Sequence, residues 1–149
     1  MTDWDKRFMD LALHVASWSK DQSTKVGCVV VSPSREILAL GYNGFPRGLD
    51  DERSERHQRP AKYMWTEHAE RNAIFSAARV GVSLLRSTMY LPWFPCPDCA
   101  RAIVQAGIGT LVAVTPDHAD PRWGEGFPAS EGILGECGVA VRWYENLPT

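Results

Sequence analysis

The spacing of apolar residues at the start of the chain predicts an amphipathic helix over residues 4–19. Apolar side chains recur there every three or four positions, which places them on one helical face. The residues of this predicted core-facing stripe are Trp4, Phe8, Leu11, Val15 and Trp18. Two β-rich runs follow at 26–31 and 36–42, separated by a short polar segment around Pro33. They predict an antiparallel hairpin, and the glycine- and proline-rich segment after it predicts a loop.

The middle of the chain alternates predicted helices with a predicted strand. Segment 50–62 has almost no apolar residues and mixes both charge signs, so we expect a solvated loop. Residues 67–79 are good helix formers followed by Gly81, and residues 88–93 form a short β-rich run. A second helix is predicted over 97–107, with a proline at its first position and a glycine at its end.

The last third of the chain completes the pattern. Two further strands are predicted at 110–114 and 138–144, with a short helix at 129–136 between them. Strands that alternate with helices imply parallel neighbours joined by right-handed crossovers. We therefore expect an α/β fold in which a five-stranded mixed sheet is flanked by helices.

Length and composition indicate one globular domain covering residues 1–149. The hydrophobic fraction of 44% and the charged fraction of 23% are typical of a soluble protein. No apolar run approaches the roughly 20 residues that span a bilayer, and the N-terminus lacks the features of a signal peptide. We expect a cytoplasmic protein without a membrane partner. A net charge of −2 provides no general attraction to nucleic acid.

The cysteines are the first candidates for chemistry. In a reducing compartment they are expected to be ligands or buried residues rather than disulfides. The stretch "PCPDC" places Cys96 and Cys99 three positions apart, an arrangement used by redox pairs, structural zinc sites and catalytic zinc sites. The stretch "HAE" adds His68 at the start of the preceding helix. One histidine and two cysteines would leave the fourth position of a zinc tetrahedron to water, which favours a catalytic site.

Glu70, two positions after His68, also favours a catalytic zinc site over a redox pair. A redox pair needs no carboxylate at the start of another helix, whereas a carboxylate beside zinc can exchange protons with water and substrate. The pattern H-x-E followed by P-C-x-x-C resembles the signature of zinc deaminases.

Five stretches over residues 4–114 carry a wider resemblance: "WDKRFMDLA", "SKDQSTKVG", "GYNGFPRG", "KYMWTEHAERNAI" and "PCPDCARAIVQAGI". Together they resemble the zinc-dependent cytidine and deoxycytidylate deaminase superfamily, and most of all its deoxycytidylate (dCMP) branch. The resemblance implies a three-layer cytidine-deaminase-like sandwich and hydrolysis of dCMP to dUMP and ammonia. It also implies one Zn²⁺ per chain, a small nucleotide as substrate and a homo-oligomer, either a dimer or a hexamer.

The same resemblance assigns roles to individual residues. His68, Cys96 and Cys99 would hold zinc, and Glu70 would be the catalytic proton shuttle. Asn43 would hydrogen-bond the sugar or base, although a turn role beside a glycine is an equal alternative.

Further substrate contacts are expected from two loops and one strand end. The positions that could hold a 5′-phosphate are Lys20, Ser23, Lys25 and Arg47. Trp93 and Phe94 could stack on a planar base, or could pack in the core instead.

The segment after Val114 departs from the dCMP branch. His118 and Asp120 stand where a tyrosine and an aspartate are usual, so His118 is a further candidate substrate contact. The departure leaves open the same chemistry on another amino-heterocycle, namely a free base, a nucleoside, guanine or a modified nucleotide. A nucleic-acid-editing deaminase and a non-catalytic zinc module are the remaining alternatives.

Overall fold

A five-stranded mixed sheet forms the centre of the fold. The computed structural model describes residues 2–145 and 147. Its strands are β1 (Gly27–Val31), β2 (Ile37–Tyr42), β3 (Thr88–Leu91), β4 (Thr110–Ala113) and β5 (Ala140–Trp143). They lie in the order β2-β1-β3-β4-β5. β1 is antiparallel to β2 and β3, whereas β3, β4 and β5 are parallel. The predicted hairpin and mixed sheet are confirmed.

The described residues contain six helices in addition to the sheet. They are α1 (Asp3–Ala16), α2 (Ser54–His57), α3 (Lys62–Trp65), α4 (Ala69–Val80), α5 (Pro97–Gln105) and α6 (Phe127–Glu136). Thr2 and Asp5 form a capping box at the start of α1. Gly81 ends α4 in a left-handed conformation that favours glycine. Within residues 2–145 and 147, no helix combines the length and the hydropathy that a membrane span requires.

The helices cover both faces of the sheet, which gives three layers. On one face, Phe8, Met9 and Ala12 of α1 pack with Val29 and Tyr90 of the sheet. The opposite face carries α4, α5 and α6, whose buried side chains form the larger cluster with the other sheet residues. Those helix residues include Ala69, Ala73, Ala77, Ile103, Phe127 and Leu134.

Two glycines allow helices to approach the hairpin closely. A methyl group on Gly27 would overlap the backbone of Ala12 and Ala16 in α1. On the other face, a methyl group on Gly41 would overlap the backbone of Ala69 and Ala73 in α4. Gly41 therefore sets the distance between β2 and the first turn of α4, which is the turn that carries the catalytic candidates.

The predicted face of the first helix is wrong in part. Trp4 and Trp18 are 37% and 49% exposed, and Trp18 lies beyond the end of α1. The buried stripe is rotated toward Asp5 and Met9. Asp5 tolerates burial because its carboxylate accepts hydrogen bonds from Tyr90 and Arg142, which the helical spacing does not reveal.

The prediction that residues 50–62 form a solvated loop is also incomplete. The segment contains α2, and its last residue, Lys62, begins α3. Lys62 is 7% exposed because its ammonium pairs with Asp21 in a different part of the chain.

Candidate metal centre

Two helix starts meet at the carboxyl end of β3 and carry three possible metal ligands. His68 is the N-cap of α4, and Cys96 is the N-cap of α5. Pro97 follows at the first helical position, where no backbone N–H is needed, and Cys99 lies in the same turn. Each helix N-terminus carries partial positive charge, which favours thiolates at this site.

The donor atoms of these residues have the spacing of a zinc tetrahedron. Nδ1 of His68 lies 3.5 Å from Sγ of Cys96 and 3.4 Å from Sγ of Cys99. All three donor atoms are within 4.8 Å of one another. Tetrahedral zinc with ordinary Zn–N and Zn–S bonds separates such atoms by about 3.6 Å. The trio could therefore hold zinc and leave one position open.

The electrostatics of the trio suit a cation. Because the Cys99 thiol donates a hydrogen bond to Cys96 and His68 lies beside it, the pKa of Cys96 is lowered to about 4. The pKa of Cys99 is raised, because its proton is held against Cys96 and because it is buried. The hydrogen bond with Cys96 raises the pKa of His68 to about 9. A metal ion would displace the remaining protons, since thiolate and neutral imidazole are the binding forms.

Glu70 lies beside the trio in the first turn of α4. Its side chain is nearly inaccessible, with the residue 4% exposed, yet it lines the same cleft as His68 and Cys96. Burial raises the pKa of its carboxyl, while the neighbouring charge on His68 acts in the opposite direction. A carboxyl with a raised pKa can both accept and donate a proton near neutral pH.

An open cleft lies above the trio. The empty space in it is about 710 Å³, counted together with the open solvent at its mouth. Trp93 and Phe94 line it from the end of β3, and Tyr63 and Trp123 line it as well. The Trp123 ring stands edge-on to His68 at 5.5 Å between centroids.

Three of the residues predicted as substrate contacts, Asn43, Trp93 and Phe94, line the cleft. The Asn43 side chain accepts from the backbone N–H of Val26 at 2.9 Å and donates to the carbonyl of Thr24 at 2.8 Å. It therefore braces the neighbouring loop. Phe94 is buried and also packs against Phe127 and Trp143, so it serves the core as well as the cleft wall.

The structure does not place the other predicted contacts on the cleft. Lys20 pairs with Asp51 at 3.1 Å, and His118 lies 3.2 Å from Glu131. The guanidinium of Arg47 donates to Ser76 at 3.3 Å, and Lys25 is exposed. Ser23 binds Asp21 and Lys62 through its hydroxyl. These residues are not among those lining the cleft.

The residues that line the cleft without having been predicted from the sequence include Lys62, Arg122 and Trp123. For Arg122 and Trp123, the sequence does contain a signal of a turn, namely Asp120. An aspartate in a loop often accepts hydrogen bonds from the backbone N–H groups that follow it. That carboxylate accepts the backbone N–H groups of Arg122 and Trp123 at 2.8 and 2.9 Å. The turn places the next two side chains, rather than His118, on the cleft.

A three-layer α/β sandwich with one histidine, two cysteines and a buried glutamate at two helix starts has the features of a catalytic zinc enzyme. Comparisons with known proteins identify the kind of enzyme. The sequence model of the cytidine and deoxycytidylate deaminase zinc-binding region matches residues 2–115. The chain therefore belongs to this family, its cofactor is zinc, and it is a hydrolytic deaminase.

Individual relatives cover nearly the whole chain. A deaminase from Aliivibrio fischeri is 39% identical over 146 residues, which are 96% of this chain and 95% of that one. Deoxycytidylate deaminase from Mus musculus is 35% identical over 147 residues, which are 95% of this chain and 80% of the mouse chain. The crystal structure of dCMP deaminase from the cyanophage S-TIM5, in complex with dCMP and dUMP, has a TM-score of 0.76 and 28% identity. It covers 97% of this chain and 99% of its own.

Proposed function

We propose that the protein hydrolyses dCMP to dUMP and ammonia, with His68, Cys96 and Cys99 as zinc ligands and Glu70 as the catalytic proton carrier. The observation that carries the proposal is the donor trio with an open position, beside a buried glutamate that lines the same open cleft. The cyanophage relative bound to dCMP and dUMP supports the choice of substrate.

The chemistry can be divided between the cofactor and the chain. Zinc, when bound, supplies Lewis-acid activation that lowers the pKa of water toward neutrality. The Glu70 carboxylate accepts a proton from the attacking water and delivers a proton to N3 of the cytosine ring. The water oxygen bonds to C4 as a hydroxyl group, and the proton of this hydroxyl passes through Glu70 to the amino group. The carbonyl bond at C4 then forms as the C4–N bond breaks, and the electron pair of the C4–N bond leaves with ammonia.

The side chains around the cleft support these steps. Trp93 and Phe94 provide apolar and aromatic surface against which a pyrimidine can lie. Burial of Glu70 limits contact with bulk water, which strengthens its interactions with developing charge. Asn43 holds the adjoining loop in place and keeps a second amide hydrogen and a second lone pair for a sugar or base.

A substrate panel tests the proposal. The zinc-loaded protein would be given dCMP, deoxycytidine, cytosine, guanine and a cytosine-containing single-stranded oligonucleotide, and ammonia release would be followed. We expect the highest kcat/KM with dCMP. Turnover of only the compounds without phosphate, or of the oligonucleotide alone with a strong dependence on salt, would contradict it.

We propose further that the protein assembles as a homo-oligomer. Several large apolar side chains outside the cleft are exposed to solvent and would be covered at an interface between copies of the chain. They include Met64, Phe75, Val80 and Leu85. Light scattering after size exclusion should give a multiple of the 16.6 kDa chain mass, and a stable mass of 16.6 kDa at micromolar concentration would contradict the proposal.

A further inference from the structure

Besides His68, two basic side chains line the cleft, and one of them is already bound on all sides. The ammonium of Lys62 donates to the two carboxylate oxygens of Asp21 at 3.1 and 2.9 Å and to the hydroxyl of Ser23 at 2.8 Å. An ammonium group has three donors, so none remains for a ligand. Lys62 therefore fixes the loop around Asp21 and does not serve an anionic substrate.

Arg122 differs from Lys62 in both exposure and bonding. It is exposed, and it lines the cleft together with the adjoining cavity that borders His68 and Cys96. Across residues 2–145 and 147, its guanidinium has neither a hydrogen-bond partner nor an ion-pair partner, while its backbone N–H is bound by Asp120. The charge at this position is available for a ligand.

The other cations near the site are already paired. Arg71 lines the adjoining cavity, but it contacts Glu67 at 3.0 Å and Asp98 at 3.4 Å. Lys20 is paired with Asp51 outside the cleft. Among the arginines and lysines of the described chain that line either cavity, Arg122 is the one without an acidic partner.

The depth of the cleft separates the base from a phosphate. Glu70 and Cys96 are buried at the floor, where the amino group of the base must lie to react. A phosphate is strongly hydrated, so it is more stable at the exposed mouth than at the floor. Arg122 lies at this mouth, next to Trp123, whose ring contacts His68.

We propose that Arg122 binds the 5′-phosphate of the substrate and thereby sets the preference of this site for a nucleotide over a nucleoside. A guanidinium presents a planar fork of donors that matches two phosphate oxygens, which makes it suited to this contact. The inference rests on the proposed deamination of dCMP. It differs from the expectation based on Lys20, Lys25 and Arg47, because those three residues are not among the ones that line the cleft. Lys20 lines a neighbouring cavity, where it is paired with Asp51.

The test compares dCMP with deoxycytidine, which differ only in the phosphate. The quantity measured is the ratio of kcat/KM for dCMP to kcat/KM for deoxycytidine, in the zinc-loaded wild type and in variants. Arg122→Ala should lower this ratio about tenfold or more, mainly through a higher KM for dCMP. Arg122→Lys should retain part of the preference, because the charge remains but the fork is lost. The matched control is Arg79→Ala, an exposed arginine in the last turn of α4, which should keep the wild-type ratio.

Product binding gives a second readout that does not depend on turnover. Calorimetry should show weaker binding of dUMP to Arg122→Ala, with a smaller difference between dUMP and deoxyuridine than in the wild type.

The inference is overturned if Arg122→Ala lowers kcat/KM for both substrates by the same factor, since that would indicate a structural role. It is also overturned if Lys25→Ala or Arg47→Ala lowers the ratio while Arg122→Ala does not. If the wild type deaminates dCMP and Arg122→Ala keeps its ratio, this inference fails alone. A wild type that does not turn over dCMP overturns the proposed function and this inference together.

Discussion

The zinc donors differ in how deeply they are buried, and this bears on how each can be tested. Cys99 is fully buried and Cys96 nearly so, while His68 is half-buried at the cleft. No other thiol can replace either cysteine as a ligand. Cys28 and Cys137 lie outside the metal-ligand group found in the described residues. Each donor is therefore needed for a site with only three protein ligands.

Cys99→Ala should bring the zinc content from near one per chain to near zero. Two protein ligands do not hold a catalytic zinc tightly, and no third thiol is placed to replace the one removed. Metal analysis after dialysis against a weak chelator measures this. The control is Cys137→Ala, an exposed thiol that should leave the content unchanged. Full zinc retention in Cys99→Ala would contradict the assignment.

Residue types and spacing predict the proposed reactive groups but not all the residues around them. "HAE" and "PCPDC" predict His68, Glu70 and the two cysteines because short local motifs at helix starts fix their geometry. For the exposed Arg122, the sequence offers Asp120 as the signal of a turn, but it does not show which of the following side chains the turn places on the cleft.

At the scale of elements, the contact between β2 and α4 positions the site. Gly41 lies against the backbone of the first turns of α4, and Glu70 is in the first of these turns. The N-cap of the same helix is His68. A displacement of α4 from the sheet would therefore move a zinc donor and the proton carrier together.

Gly41→Ala should lower the free energy of unfolding by about 1–3 kcal/mol and reduce deaminase activity as well. The added methyl group would overlap backbone atoms, which cannot move aside as a flexible side chain can. Urea unfolding measures the stability. Gly132→Ala in α6 is the control, since its methyl group meets no atom within 4 Å and alanine favours helix. Equal stability of Gly41→Ala and the wild type would contradict this packing role.

The order of the longer elements could be predicted because apolar periodicity reports regular helices and strands. Helices α2 and α3 could not, because four residues are too few to show a helical period. The buried side of α1 was misplaced for a different reason, namely that the burial of Asp5 depends on Tyr90 and Arg142, which are distant in sequence.

At the scale of the whole molecule, we infer that residues 1–149 form one folding unit. The two hydrophobic clusters lie on opposite faces of the same sheet, so neither can lose its packing without exposing strands of the other. Calorimetry of the metal-free protein should show one transition with equal calorimetric and van't Hoff enthalpies. Two resolved transitions would contradict a single unit.

Stability should also fall in acid, partly through Asp21. Burial alone would raise the pKa of this carboxyl, but the backbone N–H groups of Thr24 and Ser23 and the Lys62 ammonium lower it to about 2. A pKa depressed below the unfolded value of 3.8 gives stability that is complete above that value. This contribution is lost as the pH falls toward the folded pKa.

Asp21→Asn removes the titrating group. The free energy of unfolding of this variant should therefore decline less steeply than that of the wild type as the pH falls from about 4 to about 2. Denaturant unfolding across this range is the measurement. Parallel curves for the two proteins would show that Asp21 contributes nothing to acid sensitivity.

The central claim is that zinc held by His68, Cys96 and Cys99 works with Glu70 as proton carrier in the deamination of dCMP. The most direct test measures dCMP turnover and zinc content together in the wild type and in Glu70→Gln. Glutamine keeps the size of glutamate but cannot carry the proton, so turnover should fall at least about a hundredfold. Zinc should stay near one per chain. Retained turnover, or loss of the zinc along with activity, would contradict the account.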